Sequence, residues 1–148
     1  MRPNVTRLVL GGFVGTAAMT ATMYTVAPMM GVRMDIAAML GSMLGGRWTA
    51  GLFMHFVNGS LVFPLVYGYV LVSRLPGPQA LRGAAWGIAL WLIAQTMVMP
   101  MMGAGLFSAE AGGTMAVVGS LVGHLIYGTI LGVVGAVGTG ADVRLAHA

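Results

Sequence analysis

The stretch Met115-Ala-Val-Val-Gly-Ser-Leu-Val-Gly-His124-Leu-Ile-Tyr-Gly-Thr-Ile-Leu-Gly-Val-Val-Gly-Ala-Val137 carries no formally charged residue. A helix needs about 20 mostly apolar residues to cross the hydrocarbon core of a bilayer. This stretch meets that length and reads as a membrane span. His124 lies inside it, with Ser120 one turn before and Gly128 one turn after. At about 3.6 residues per turn, these three stack on one helix face. An ionisable side chain within a membrane-length helix is costly and points to a function.

Three more stretches have the same character: about Leu8–Pro28, Thr49–Val72 and Ala84–Met102. The second repeats the histidine pattern as Gly51-xxx-His55-xxx-Gly59. Between the second and third, Ser73–Gly83 holds Arg74, Pro76, Gly77, Pro78 and Arg82 and reads as a turn. The first stretch, preceded by Arg2 and Arg7, has the look of a signal peptide. Because the third stretch repeats its pattern, it is read as a span.

Composition agrees. Of the 148 residues, 58% are apolar and only 7% charged, too few charges to cover a water-facing surface. All seven basic residues are arginines, scattered along the chain. No basic run with interleaved aromatics exists, so nucleic acid is excluded as a partner. There is no cysteine, which removes disulfides, thiolate metal sites and cysteine nucleophiles. Arg2, Arg7, Arg74, Arg82 and Arg144 fall on one side of a four-span topology, and Arg33 and Arg47 on the other. The positive-inside rule then places both termini in the cytoplasm, in a bacterial-type inner membrane. Gly31–Trp48 and Gly103–Thr114 face outward; Asp35 is expected to cap a helix over Ile36–Leu44, and Ser108 a turn from Ala109.

The two halves match each other. At an offset of 72, Gly11 falls on Gly83, Gly15 on Gly87, and Pro28-Met29-Met30-Gly31 on Pro100-Met101-Met102-Gly103. After a three-residue deletion, Leu52, His55 and Gly59 fall on Leu121, His124 and Gly128. The expected fold is all-α: a single integral membrane domain over 1–148, a four-helix bundle of two tandem helical hairpins, about 8–72 and 84–137. Two-span repeats share one orientation, so a pseudo-two-fold axis runs along the membrane normal. His55 and His124 then lie at one depth, roughly 9–14 Å inside the outer boundary at 1.5 Å per residue. They face one another only if spans two and four line the axis, an arrangement that the small residues favour by allowing close approach. Met23 and Gln95 reach the same level.

Three readings of this paired site stay open. Two histidines at one depth suit bis-histidine haem b or another tetrapyrrole, with Gly51, Gly59, Ser120 and Gly128 clearing room and Gln95 nearby. Imidazole and thioether donors suit Cu(I), drawing on His55, His124, Met29, Met30, Met101 and Met102. Without a cofactor, the histidines and small residues form packing seams of a scaffold subunit or small transporter. No carboxylate lies in a span and no triad can form, so independent catalysis is not expected. His147 and Arg33 are read as surface residues. The function expected is that of an accessory subunit in a membrane electron-transfer complex, respiratory or photosynthetic, partnered by lipid and by other membrane subunits or its own copies.

The second half carries Trp86-Gly87, Trp91, Met99-Pro100-Met101-Met102-Gly103, Gly105-Leu106-Phe107 and Gly123-His124-Leu125-Ile126-Tyr127-Gly128 with Leu131-Gly132. In this it resembles small four-span bacterial and archaeal membrane proteins of unknown function. The likeness covers most of the chain. It implies the fold and carries no activity.

Overall fold

The computed structural model describes residues 3–32 and 34–135. Arg2, Arg33, Arg144, His147, the end of span four beyond Gly135 and the side chain of Met30 lie outside the described residues. Among the described residues, four helices are long and apolar enough to cross a membrane: α1 (Val5–Met29), α3 (Trp48–Leu71), α4 (Gln79–Met101) and α5 (Gly113–Val134). A short helix, α2 (Ile36–Ser42), lies between α1 and α3.

Local chemistry sets the helix ends. Asn4 accepts from the Arg7 amide at 3.1 Å and caps α1. Asp35 caps α2 as expected, accepting from the Ala38 amide at 2.9 Å. Gly31, at φ 78°, ends α1 in a left-handed conformation that disfavours a side chain. α4 starts at Gln79, earlier than the Ala84 expected from the arginine and glycine content of the turn. Pro78 holds extended backbone at its N-cap. Arg82 is accommodated in the helix, its Nη1 donating to the Val72 carbonyl at 3.2 Å.

Three spans contain a proline, and each relaxes in the same way. Wide π turns occupy Thr22–Val26, Asn58–Val62 and Ala94–Val98, ending two residues before Pro28, Pro64 and Pro100. A proline lacks the amide hydrogen and clashes with the carbonyl four residues back, and the wider turn separates the two. α3 carries one more π turn, Tyr67–Leu71.

The glycines decide which helices touch. Gly83 of α4 lies against Gly128 and Gly132 of α5, and Gly87 against the backbone of His124 and Gly128. Gly11 and Gly15, their matches on α1, pack instead against Val134, Gly135 and Tyr127 of α5. α1 meets α3 through the adjacent positions, Gly12 on Pro64 and Thr16 on Gly59. The lateral order is therefore α3, α1, α5, α4. The arrangement in which spans two and four line a central axis is corrected: α1 and α5 form the central pair, because the Gly11 and Gly15 face is turned to α5.

Toward the end of the bundle that bears the Ser73–Pro78 turn, Leu8, Tyr67, Val72, Trp86, Leu90, Tyr127 and Leu131 form a buried core. Nearer the α2 end the packing opens into a cavity.

Candidate functional site: a two-histidine cavity

A ladder of hydroxyls on α1 prepares the first histidine. Thr16 Oγ1 donates to the Gly12 carbonyl at 2.7 Å, and Thr20 Oγ1 to the Thr16 carbonyl at 2.6 Å. The only hydroxyl proton of Thr20 is thus committed to its own helix. His55 Nε2 lies 3.1 Å from Thr20 Oγ1, so the imidazole must donate there. His55 is then the Nε2–H tautomer, and Nδ1 carries the lone pair.

His124 is fixed the other way. Its Nδ1 is 2.8 Å from the Ser120 carbonyl of its own helix. A carbonyl only accepts, so Nδ1 bears the hydrogen and Nε2 keeps the lone pair. Among the described residues, neither His55 Nδ1 nor His124 Nε2 has a hydrogen-bond partner.

Both histidines line one cavity of about 250 Å³. Thr16, Gly59 and Tyr127 mark its deep end, and Val32, Ile36 and Leu40 its α2 end. Tyr127 donates its hydroxyl to the Gly59 carbonyl at 2.8 Å, joining α5 to α3 at that depth. Residues from all three proline-associated π turns line it, among them Met23, Asn58 and Ala94. Such turns recur at functional sites, where they re-aim side chains. Met19, Met23, Met34, Met99 and Met115 also line it, and no aspartate or glutamate does among the described residues. Nor do three or more His, Cys, Asp or Glu side chains gather anywhere in the described residues to hold a metal ion.

The other residues singled out from the sequence lie elsewhere. Met29 and Met101 are 86% and 68% exposed, away from the cavity. Met102 is half-buried and does not line it either. Gln95 is fully buried beside the site and outside its lining. It donates to Ser120 Oγ at 3.2 Å and accepts from Ser108 Oγ at 2.8 Å. Ser108 therefore plugs into α4, and with Phe107 it holds a left-handed backbone, at φ 52° and 50°.

The flanking glycines lie in close helix contacts. A methyl on Gly51 would meet the α2 backbone, 2.5 Å from the Gly41 amide nitrogen. Gly59, although it borders the cavity, has Thr16 against its Cβ direction, and Gly128 has Gly83 and Gly87. Ser120 borders the cavity and serves its neighbours by hydrogen bonds.

A polar clasp over the α2 end was not read from the sequence. The Asp35 carboxylate accepts from the Tyr24 hydroxyl at 2.5 Å and from the Trp48 indole N–H at 3.0 Å. One carboxylate thus ties α1, α2 and α3 together. Partial burial pushes the Asp35 carboxyl up, but the Tyr24, Ala38 and Trp48 hydrogen bonds outweigh it and hold the group below the usual carboxylate range. The available signal was one acid between two aromatic helix ends.

These features define a small multi-pass helical membrane protein with a cavity among its spans. Over residues 3–144 the sequence matches the model of a family of unknown function, DUF6789, and the chain belongs to that family. No curated protein and no solved structure matches it.

Proposed function

We propose that this protein is an accessory subunit of a membrane electron-transfer complex and holds a coordinating group in its cavity through His55 and His124. One observation carries the reading. Each imidazole has one nitrogen fixed by a hydrogen bond and the other, with its lone pair, left without a partner among the described residues, and both histidines line the same cavity. Metal-ligating histidines have this arrangement, in which the second nitrogen sets ring and tautomer. With no carboxylate or activated nucleophile around it, a bound centre would suit electron transfer or storage better than hydrolysis. Both termini on the cytoplasmic side of a bacterial-type inner membrane belong to the same proposal, which rests there on the arginine distribution.

The test is purification from the native membrane, followed by absorption spectra of oxidised and reduced samples and metal analysis. The reading expects a haem or metal that His55→Ala and His124→Ala each remove. Folded protein with both histidines intact that carries no such group, and takes up none when haem or metal is supplied, would refute it. A cofactor-free packing role is the second reading, favoured by the bond from His55 to Thr20 that ties α3 to α1. It expects those substitutions to weaken the bundle with nothing bound to lose.

A further inference from the structure

The geometry points to monovalent copper as the group in this cavity, held by His55 Nδ1, His124 Nε2 and the thioethers of Met19 and Met23. This rests on the cavity being a coordinating site, and it names the occupant.

The first argument is donor chemistry. Neutral imidazole and thioether ligands together select Cu(I) among the common biological metals. Span α1 brings the two kinds of donor together. Its Thr20 holds His55. Its Met19 lies against Gly123, the neighbour of His124, with a methyl on Gly123 falling 3.2 Å from Met19 Cγ. Met23 follows Met19 by one turn and lines the same cavity. Met34 and the half-exposed Met115 add thioethers nearer the α2 end, a path for a soft ion entering from that side.

The second argument is charge. The cost of burying an ion rises with the square of its charge, so a dication would cost about four times as much as a monocation in the same apolar surroundings. The lining offers no carboxylate to offset it. Zinc, magnesium and calcium sites of the usual kind need ligand sets that are absent among the described residues.

The third is space. A cavity of about 250 Å³ falls below the ~300–1,000 Å³ typical of small-molecule pockets. The seams at Gly51, Gly59 and Gly128 are filled by backbone and Thr16, so those glycines clear no room for a macrocycle. A single ion and four side chains need far less room.

The experiment uses the full chain in detergent or nanodiscs, without oxygen. Cu(I) is titrated against a coloured Cu(I) chelator, and the loaded protein is examined by X-ray absorption. One Cu(I) per chain with both nitrogen and sulfur scatterers is expected. His55→Ala and His124→Ala should each lower affinity by at least about a hundredfold, more than loss of an orienting partner does. Met19→Leu with Met23→Leu, which keeps volume and fold, should remove the sulfur scatterers. Met29→Leu with Met101→Leu should change neither readout. Failure to compete with the chelator, binding indifferent to these histidines, or a site without sulfur would overturn the copper proposal. A parallel haem titration separates the two levels. Histidine-dependent haem binding without Cu(I) binding sinks copper and leaves the coordinating cavity standing. If the folded protein binds neither, both fail.

Discussion

Gly128→Ala distinguishes a packing seam from a clearance for a ligand. A methyl on Gly128 would lie 2.8 Å from the Gly87 amide nitrogen and 2.9 Å from Gly87 Cα, and closer still to the Gly83 carbonyl oxygen. Non-bonded carbons rest about 3.5–4.0 Å apart. α4 and α5 must therefore separate by about 1 Å along the seam. Overpacking of this kind costs about 1–3 kcal/mol. The upper part of that range applies, because the obstacles are backbone atoms that no rotamer change can move. Gly119→Ala is the control: its methyl would stand 3.7 Å from the nearest atom, Val32 Cγ1, an ordinary contact. The assay is unfolding in detergent followed by helical circular dichroism, with metal or haem content measured on the folded fraction. Gly128→Ala should lower the midpoint clearly while Gly119→Ala leaves it in place. A Gly128→Ala protein as stable as the wild type, yet unable to hold a ligand, would refute the seam and restore the clearance.

Three further outcomes are expected. Tyr67→Phe should stabilise the bundle by about 1 kcal/mol in the same unfolding assay, because the Tyr67 hydroxyl is buried with no partner among the described residues and its burial costs free energy with nothing gained. Gln95→Leu should destabilise by about 1–3 kcal/mol, since it leaves the buried Ser108 hydroxyl without its acceptor; equal stability would show that the Gln95 bridge holds nothing. Asp35 has its folded pKa held down, so its contribution is complete above the ordinary carboxylate pKa of about 4 and is lost as pH falls through the lower, folded value. Acidification below about pH 4 should release the clasp, seen as a change in emission that Trp48→Phe abolishes; a Trp48 signal flat through that range would contradict it.

The spans were legible because bilayer length and the absence of charge are properties of the residues themselves. His55 and His124 were legible as candidates too, since an ionisable residue stands out in an apolar span, and both line one cavity. Helix neighbours were less so. Gly11 and Gly12 are equally small, and nothing in the sequence says which one faces α5 and which faces α3. The same holds for Gly51, whose spacing from His55 invites a functional role although its contact is α2. The tautomers were out of reach as well, because they follow from the proton inventory of Thr20 and the Ser120 carbonyl, known only once the helices are in place.

The π turns carry a consequence for phase. Each fits one extra residue into a turn, so every side chain beyond it is rotated by about 100° from where uninterrupted 3.6-residue counting puts it. Met29 and Met101 both lie past such a slip, and counting from Met23 or Gln95 aims them at the wrong side of their helices. α5 has no slip over Gly113–Val134 and serves as the ruler of the bundle. Deleting a single residue within Thr22–Val26 would bring α1 back into step with it and turn the whole outer end of that helix to a new neighbour.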